Sequence, residues 1–167
     1  LFSRAWAKPL AAEATVSPSW VPLTPLDPLS YAQGRFIAIG EANVKQGWAS
    51  GVPDWKALKG GKRPRFTSVP MLCATEPGAE LTLAFDGTAV GAYVVAGPDA
   101  GVVEASVDGG AVRKVNLLHA YSAGLHYPRT VMFGTELAPG PHTLLLKISA
   151  ETQGEGHAAR IMQFVAN

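Results

Sequence analysis

Four histidines (His119, His126, His142 and His157), a single cysteine (Cys73) and scattered carboxylates are the groups of this chain that could bind a metal, carry a proton or attack a carbonyl. None of the histidines has the H-x-H or H-E-x-x-H spacing that puts two imidazoles on one ion. One cysteine excludes both an internal disulfide framework and a multi-cysteine zinc site. Next to the end of an expected strand, Cys73 reads as a small buried hydrophobe more than as a nucleophile. There is no G-x-S-x-G, no Gly-Asp-Ser block and no Asp-x-x-His pair, so no hydrolase nucleophile can be placed. The sequence therefore assigns no catalytic residue, no metal and no cofactor. A hydrolase with an unrecognised site is the remaining enzymatic alternative.

Gly97-Pro98-Asp99-Ala100-Gly101 has the glycines and the carboxylate of an ion-binding loop. It lacks the Lys and Ser/Thr of a Walker loop, and a lone Asp between glycines more often caps its own turn. Aromatic residues offer a different chemistry, because flat rings stack on the apolar faces of sugars while neighbouring polar groups hold the hydroxyls. Trp48 and Trp55 lie in a Gly/Pro-bearing stretch, and Tyr121, His126, Tyr127 and Arg129 lie in a turn-like segment between two strands. These six are the candidate ligand-binding residues, the aromatics for stacking and His126 and Arg129 for hydrogen bonding. Anchoring of a connector to the core is the competing reading of both tryptophans. Beside them Lys56, Lys59, Lys62, Arg63 and Arg65 cluster, whereas residues 66–111 contain no Lys or Arg.

The elements that must position these groups are strands. Apolar and β-branched runs recur about every ten residues from Phe66 onward, the spacing of a sandwich. Eight are predicted: Phe66–Leu72, Glu80–Phe85, Ala89–Val95, Val102–Val107, Val112–Leu118, Thr130–Leu137, His142–Ser149 and Ala158–Val165, with a further strand around Arg35–Ile39. Leu81, Leu83 and Phe85, and likewise Leu144, Leu146 and Ile148, each share one face and are predicted core. Pro77-Gly78, Asp86-Gly87, Asp108-Gly109-Gly110 and Pro139-Gly140-Pro141 are turn chemistry, and hairpins are expected there. The stretch holding Trp48 and Trp55 reads as loop. No repeat of solenoid or propeller length stands out.

Composition fits this outline. The chain has 167 residues, 47% apolar and 16% charged, with a net charge of +1, 18 Gly and 13 Pro. That is enough length for one domain with an appended segment, and too apolar for a disordered chain. Near-neutral charge argues against a nucleic-acid partner, and no apolar run is long enough for a membrane span. Residues 1–12 read as one or two helical turns, and 13–30, with Pro18, Pro22, Pro25 and Pro28, as an extended linker leading to a β-sandwich domain over 31–167. Because the sequence opens on Leu1, a longer gene product or a cleavage is expected upstream.

Phe85-Asp86-Gly87-Thr88, Val90-Gly91, Ala96-Gly97-Pro98-Asp99-Ala100-Gly101, Val107-Asp108-Gly109, Tyr121-Ser122, Leu125-His126-Tyr127-Pro128-Arg129 and Gly140-Pro141-His142-Thr143-Leu144 occur in this order. Together they resemble the β-sandwich that accompanies bacterial SGNH (GDSL-type) hydrolases, and are similar to jelly-roll domains attached to acetyl-esterases of polysaccharides. The resemblance covers Arg65 to Asn167. It implies an all-β, antiparallel, jelly-roll-like sandwich serving as a non-catalytic accessory domain, and it makes residues 1–12 the end of an upstream SGNH catalytic domain. The blocks that carry the nucleophile and the Asp/His pair of that family have no match here, so no catalytic role is transferred. The partners it implies are a polysaccharide or oligosaccharide and the catalytic domain, with a homo-oligomer open. The compartment it implies is periplasmic or extracellular. The alternative is an assembly module that packs on the catalytic domain or a twin and binds no glycan.

Overall fold

In the computed structural model the chain divides into two compact units, Leu1–Ser30 and Tyr31–Asn167, and the structure describes residues 26, 27 and 29–167. The expected helical turns at 1–12 and most of the proline-rich linker lie outside the described residues. Within the first unit, the Leu29 N–H donates to Asp27 Oδ1 and the Ser30 N–H to the Asp27 carbonyl, a side-chain-closed turn.

The second unit contains eleven strands: β1 (Arg35–Ile37), β2 (Asn43–Gln46), β3 (Ala49–Gly51), β4 (Met71–Ala74), β5 (Glu80–Asp86), β6 (Val90–Ala96), β7 (Val102–Val107), β8 (Arg113–Asn116), β9 (Tyr127–Gly134), β10 (Pro141–Ile148) and β11 (Ala159–Ala166). They form two sheets, β3-β4-β11-β6-β9 with β1 also on β11, and β2-β5-β10-β7-β8. Every strand pairing is antiparallel. From β4 onward successive strands mostly alternate between sheets, which is the jelly-roll winding. The expected fold class is thus the observed one.

Alternation along each strand builds the core. Leu81, Leu83 and Phe85 meet Leu144, Leu146 and Ile148 within the second sheet, and Val90, Ala92, Val94, Ile161 and Phe164 face them from the first. All are buried. A smaller apolar cluster lies on the outer face of the first sheet, where Phe66, Met71 and Val95 are covered by the segment carrying Trp55 and Val69.

Several local expectations are corrected. Phe66 sits in a 3-10 turn, Pro64–Phe66, and its strand begins only at Met71. β3 and the end of β2 fall in the stretch read as loop, and the rest of β2 was not expected, because their residues are exposed and show no alternation of burial. Of the four turn motifs, Asp108-Gly109-Gly110 alone joins paired strands, β7 and β8. The turns at Gly78, Gly87 and Gly140 do exist, each with positive φ, yet they carry the chain from one sheet to the other. Turn chemistry encodes a reversal and not the sheet to which the chain returns.

Candidate functional site: an aromatic cluster at the sandwich edge

The six sequence-selected residues separate into three environments. Trp48 lies where the chain passes from β2 in one sheet to β3 in the other. Gly47 turns it there at φ 73, and a Cβ on Gly47 would come within 2.6 Å of Ala79 Cβ. This tight passage drives the indole into the core, where Trp48 is 6% exposed. Trp48 is therefore a core residue without a free face, and the stacking expectation is corrected in favour of packing.

Trp55 and His126 form the second environment. Their rings meet edge to face at 5.1 Å, and His126 is 1% exposed. The His126 ring lies against Gly97, where a Cβ would come 2.2 Å from His126 Cε1. Its Nε2 stands 2.9 Å from the Lys59 carbonyl oxygen, so that nitrogen must donate. Burial lowers the imidazole pKa against the opposing hydrogen bond to Lys59, and the positive charges of Arg160 and Lys62 add to the lowering. The neutral, Nε2-protonated ring is thus spent on holding a segment in place. The strap is completed by Gly61 N–H donating to Gly124 O and His126 N–H donating to Gly61 O, both at 2.8 Å. Although its Nδ1 has no partner, His126 is too deeply buried to reach an external ligand, a second correction.

Tyr121 and Tyr127 form the third environment, together with His119, a residue the sequence reading passed over. The 3-10 turn Ala120–Ala123 is started by His119, whose Nδ1 accepts from the Tyr121 N–H at 3.3 Å. His119 stacks on Tyr127 with centroids 5.2 Å apart and planes 14° from parallel. Tyr121 tilts onto both rings, at 5.3 Å from His119 and 5.4 Å from Tyr127. Tyr121 is the outermost ring, 65% exposed, while His119 and Tyr127 are half-buried. Three rings at 119, 121 and 127 are visible in the sequence, but only the turn at 120–123 folds the first and second onto the third.

Tyr127 and Arg129 were expected in a turn and instead begin β9. They lie on the same face of that strand, two residues apart. Arg129 is half-buried and stands opposite Val94 of β6. The cluster therefore sits at the sandwich edge where the chain crosses from β8 to β9, on an aromatic turn braced by paired strands. The strap places Gly61 beside Leu125, so the basic loop with exposed Lys59 and Arg63 runs next to this edge.

The Gly97–Gly101 loop is neither an ion loop nor merely a self-capped turn. Asp99 receives two hydrogen bonds from Arg160, at 3.0 and 2.5 Å. Burial acts to raise the Asp99 pKa, and the hydrogen bonds and charge of Arg160 outweigh it, so the net shift is downward. Cys73 is half-buried and its thiol pKa is raised by burial against the opposing charge of Arg160, the reverse of an activated nucleophile. Among the described residues no group of His, Cys, Asp and Glu is arranged to hold a metal ion, and no helix is long and apolar enough to cross a membrane.

No family model matches the sequence, and no curated protein matches it. Solved structures do match its fold. A two-domain esterase (CEX) active on acetylated mannans, co-crystallised with mannopentaose, superposes with a TM-score of 0.63 at 12% identity, over 98% of this chain and 43% of its own. A family two carbohydrate esterase from Cellvibrio japonicus does so at 0.52 and 13% identity, over 80% of this chain and 32% of its own. The exo-beta-1,3-galactanase Pc1,3Gal43A from Phanerochaete chrysosporium reaches 0.52 at 17% identity, over 81% of this chain and 30% of its own. At these identities the likeness is one of fold: a β-sandwich of the kind found in carbohydrate esterases and glycoside hydrolases. The chain spans less than half the length of each of these proteins.

Proposed function

We propose that this chain is the non-catalytic β-sandwich domain of a longer, exported esterase of the SGNH type, and that it holds a glycan at the β8–β9 edge. The observation that carries this reading is the three-ring cluster, with Tyr121 standing 65% exposed on a rigid edge. A sugar ring lays its C–H face on Tyr121. The tyrosine hydroxyls and the Arg129 guanidinium then take its hydroxyl groups. Trp55 and His126 act from beneath, by fixing the strap that borders the edge. The similar fold of two-domain carbohydrate esterases supports the same reading. In it the catalytic domain is joined covalently, upstream through the proline-rich stretch, and the product works in the periplasm or outside the cell.

The test is retention of the protein in an affinity gel containing acetylated mannan, with calorimetric titration of mannopentaose beside it. Tyr121→Ala combined with Tyr127→Ala is expected to weaken binding at least about tenfold, since each ring contact contributes on the order of 1 kcal/mol. Binding that survives the double substitution unchanged removes this edge from consideration. The alternative, an assembly role, has its own observation in the groove lined by Phe36, Met132 and Val165 on the outer face of the first sheet.

A further inference from the structure

Charge is not spread evenly along this chain. Residues 55–75 and 111–135 hold eight of its fourteen Lys and Arg and none of its thirteen Asp and Glu, while the remainder has six basic residues against all of the acidic ones. The net charge of +1 conceals that polarity. The fold then brings the two basic stretches together. Gly61 N–H donates to Gly124 O, His126 N–H donates to Gly61 O, and the Lys59 carbonyl accepts from His126 Nε2. Gly60 turns the loop at φ 85, where a Cβ would come 3.0 Å from Pro98 Cγ. A basic loop is thus tied down beside Tyr127, whose ring stacks on His119.

The protein's own carboxylates leave most of this charge unpaired. Residues 54–65 carry five cations against the single carboxylate of Asp54, whose Oδ1 accepts from the Lys56 N–H. Lys62 donates to the Leu58 carbonyl, and Arg65 lies over the Phe66 ring, 4.7 Å from its centroid. Lys59 meets Glu155 at 3.0 Å, but both ends of that pair are exposed, so it is weak and open to exchange. Lys56, Arg63 and Arg129 make no ion pair among the described residues. Lys56 and Arg63 are exposed, and Arg129 is half-buried. Asp99, behind the loop, is taken by Arg160. Like charges held on one fixed loop repel each other, and an anion from outside relieves that repulsion.

We infer that the ligand of this edge is an anionic glycan, whose sugar rings carry carboxylate or sulfate groups; the inference rests on the glycan reading above and names the class of glycan. Stacking on Tyr121 takes the apolar face of one ring. The acidic groups of that ring and its neighbours then lie beside Lys56, Arg63 and Arg129. Guanidinium forks match carboxylate and sulfate oxygens two at a time. A neutral glycan would use the rings and leave the charge of the loop unrelieved. A nucleic acid needs a broader basic surface than one loop.

The experiment titrates the 167-residue chain calorimetrically with pentagalacturonate, sulfated mannopentaose and neutral mannopentaose. Each is run at about 10 mM and about 1 M salt, between which the screening length falls from about 30 to about 3 Å. At low salt at least one of the anionic sugars is expected to bind about tenfold more tightly than mannopentaose and to lose that advantage at high salt. The one that does so assigns the anion as carboxylate or sulfate. Lys56→Gln/Arg63→Gln should cost that sugar about tenfold, and the charge-keeping Lys56→Arg/Arg63→Lys should restore it. Lys45→Gln, on exposed β2, should change nothing. Equal affinity for charged and neutral sugars, or a preference indifferent to Lys56 and Arg63, overturns the inference and leaves the aromatic edge standing. So does polyglutamate or duplex DNA that competes as well as the anionic sugar at equal charge, because the surface then reads charge and not a glycan. Anionic binding unmoved by Tyr121→Ala/Tyr127→Ala, or no binding of any of the three sugars, removes the glycan edge itself and the inference with it.

Discussion

His142 holds two turns together through both of its ring nitrogens. Nδ1 stands 2.6 Å from Asp108 Oδ2 and Nε2 stands 2.7 Å from the Ala138 carbonyl oxygen. Both partners are acceptors, so the arrangement is complete only when both nitrogens carry protons, and the hydrogen bond to Asp108 followed by that to Ala138 raises the imidazole pKa. The same contact, with the Thr143 N–H, lowers the Asp108 pKa. Because the folded histidine holds its proton more tightly than the unfolded one, its contribution is full below about pH 6.5 and fades as pH rises through the raised value. The aspartate's contribution is full above about pH 3.9 and is lost as pH falls through its lowered value. Stability from the pair should therefore be greatest between these limits. His142→Gln should flatten the decline in urea midpoint between pH 6 and 8, and a slope identical to that of the wild type would show that the pair contributes nothing. The turn residues and the lone His were legible in the sequence, but not their pairing, since Asp108 and His142 are joined only when β7 and β10 lie side by side.

Elements were legible where side chains alternate and obscure where burial is absent. β5 and β10 show their inward leucines plainly, and both form as expected. β2 and β3 carry Asn43-Val44-Lys45-Gln46 and Ala49-Ser50-Gly51, short edge segments with no apolar face, and are held by neighbours instead of by their own pattern. The passage between them depends on Gly47, where both the left-handed φ and the contact with Ala79 exclude a side chain. Gly47→Ala should cost roughly 1–3 kcal/mol, read from urea unfolding. A neutral result would mean that β2 and β3 can shift without disturbing the sheets. β9 was expected to begin at Thr130 and begins at Tyr127, because pairing with Val95 and Ala96 extends it through Pro128. A proline is accepted there because β9 is an edge strand.

In the sandwich unit the main core joins both sheets, and Trp48 belongs to it beside residues of β4, β5, β6 and β11. Trp48→Ala should destabilise by about 3–5 kcal/mol, with tryptophan fluorescence and far-ultraviolet dichroism shifting together as one cooperative transition. Loss of glycan retention at unchanged stability would return Trp48 to the binding surface. The same architecture puts sites of opposite chemistry on the two faces of β9. Toward the β8–β9 edge lie aromatic rings with polar tips beside a basic loop, and on the outer sheet face lies a groove lined by Phe36, Met132 and Val165.

By itself the sequence determined the fold class, most of the strands, the turn positions and the identity of the aromatic segment, because alternation and turn chemistry are local and survive in any window of a few residues. Only the tertiary structure decided which sheet each turn leads to, that Trp48 and His126 are buried while Tyr121 is exposed, and that Phe36, Val165, Gly91 and Met132 form one row of register partners across the first sheet. Those outcomes depend on register between strands far apart in the chain, which is set when the two sheets close on a common core and leaves no trace in local spacing.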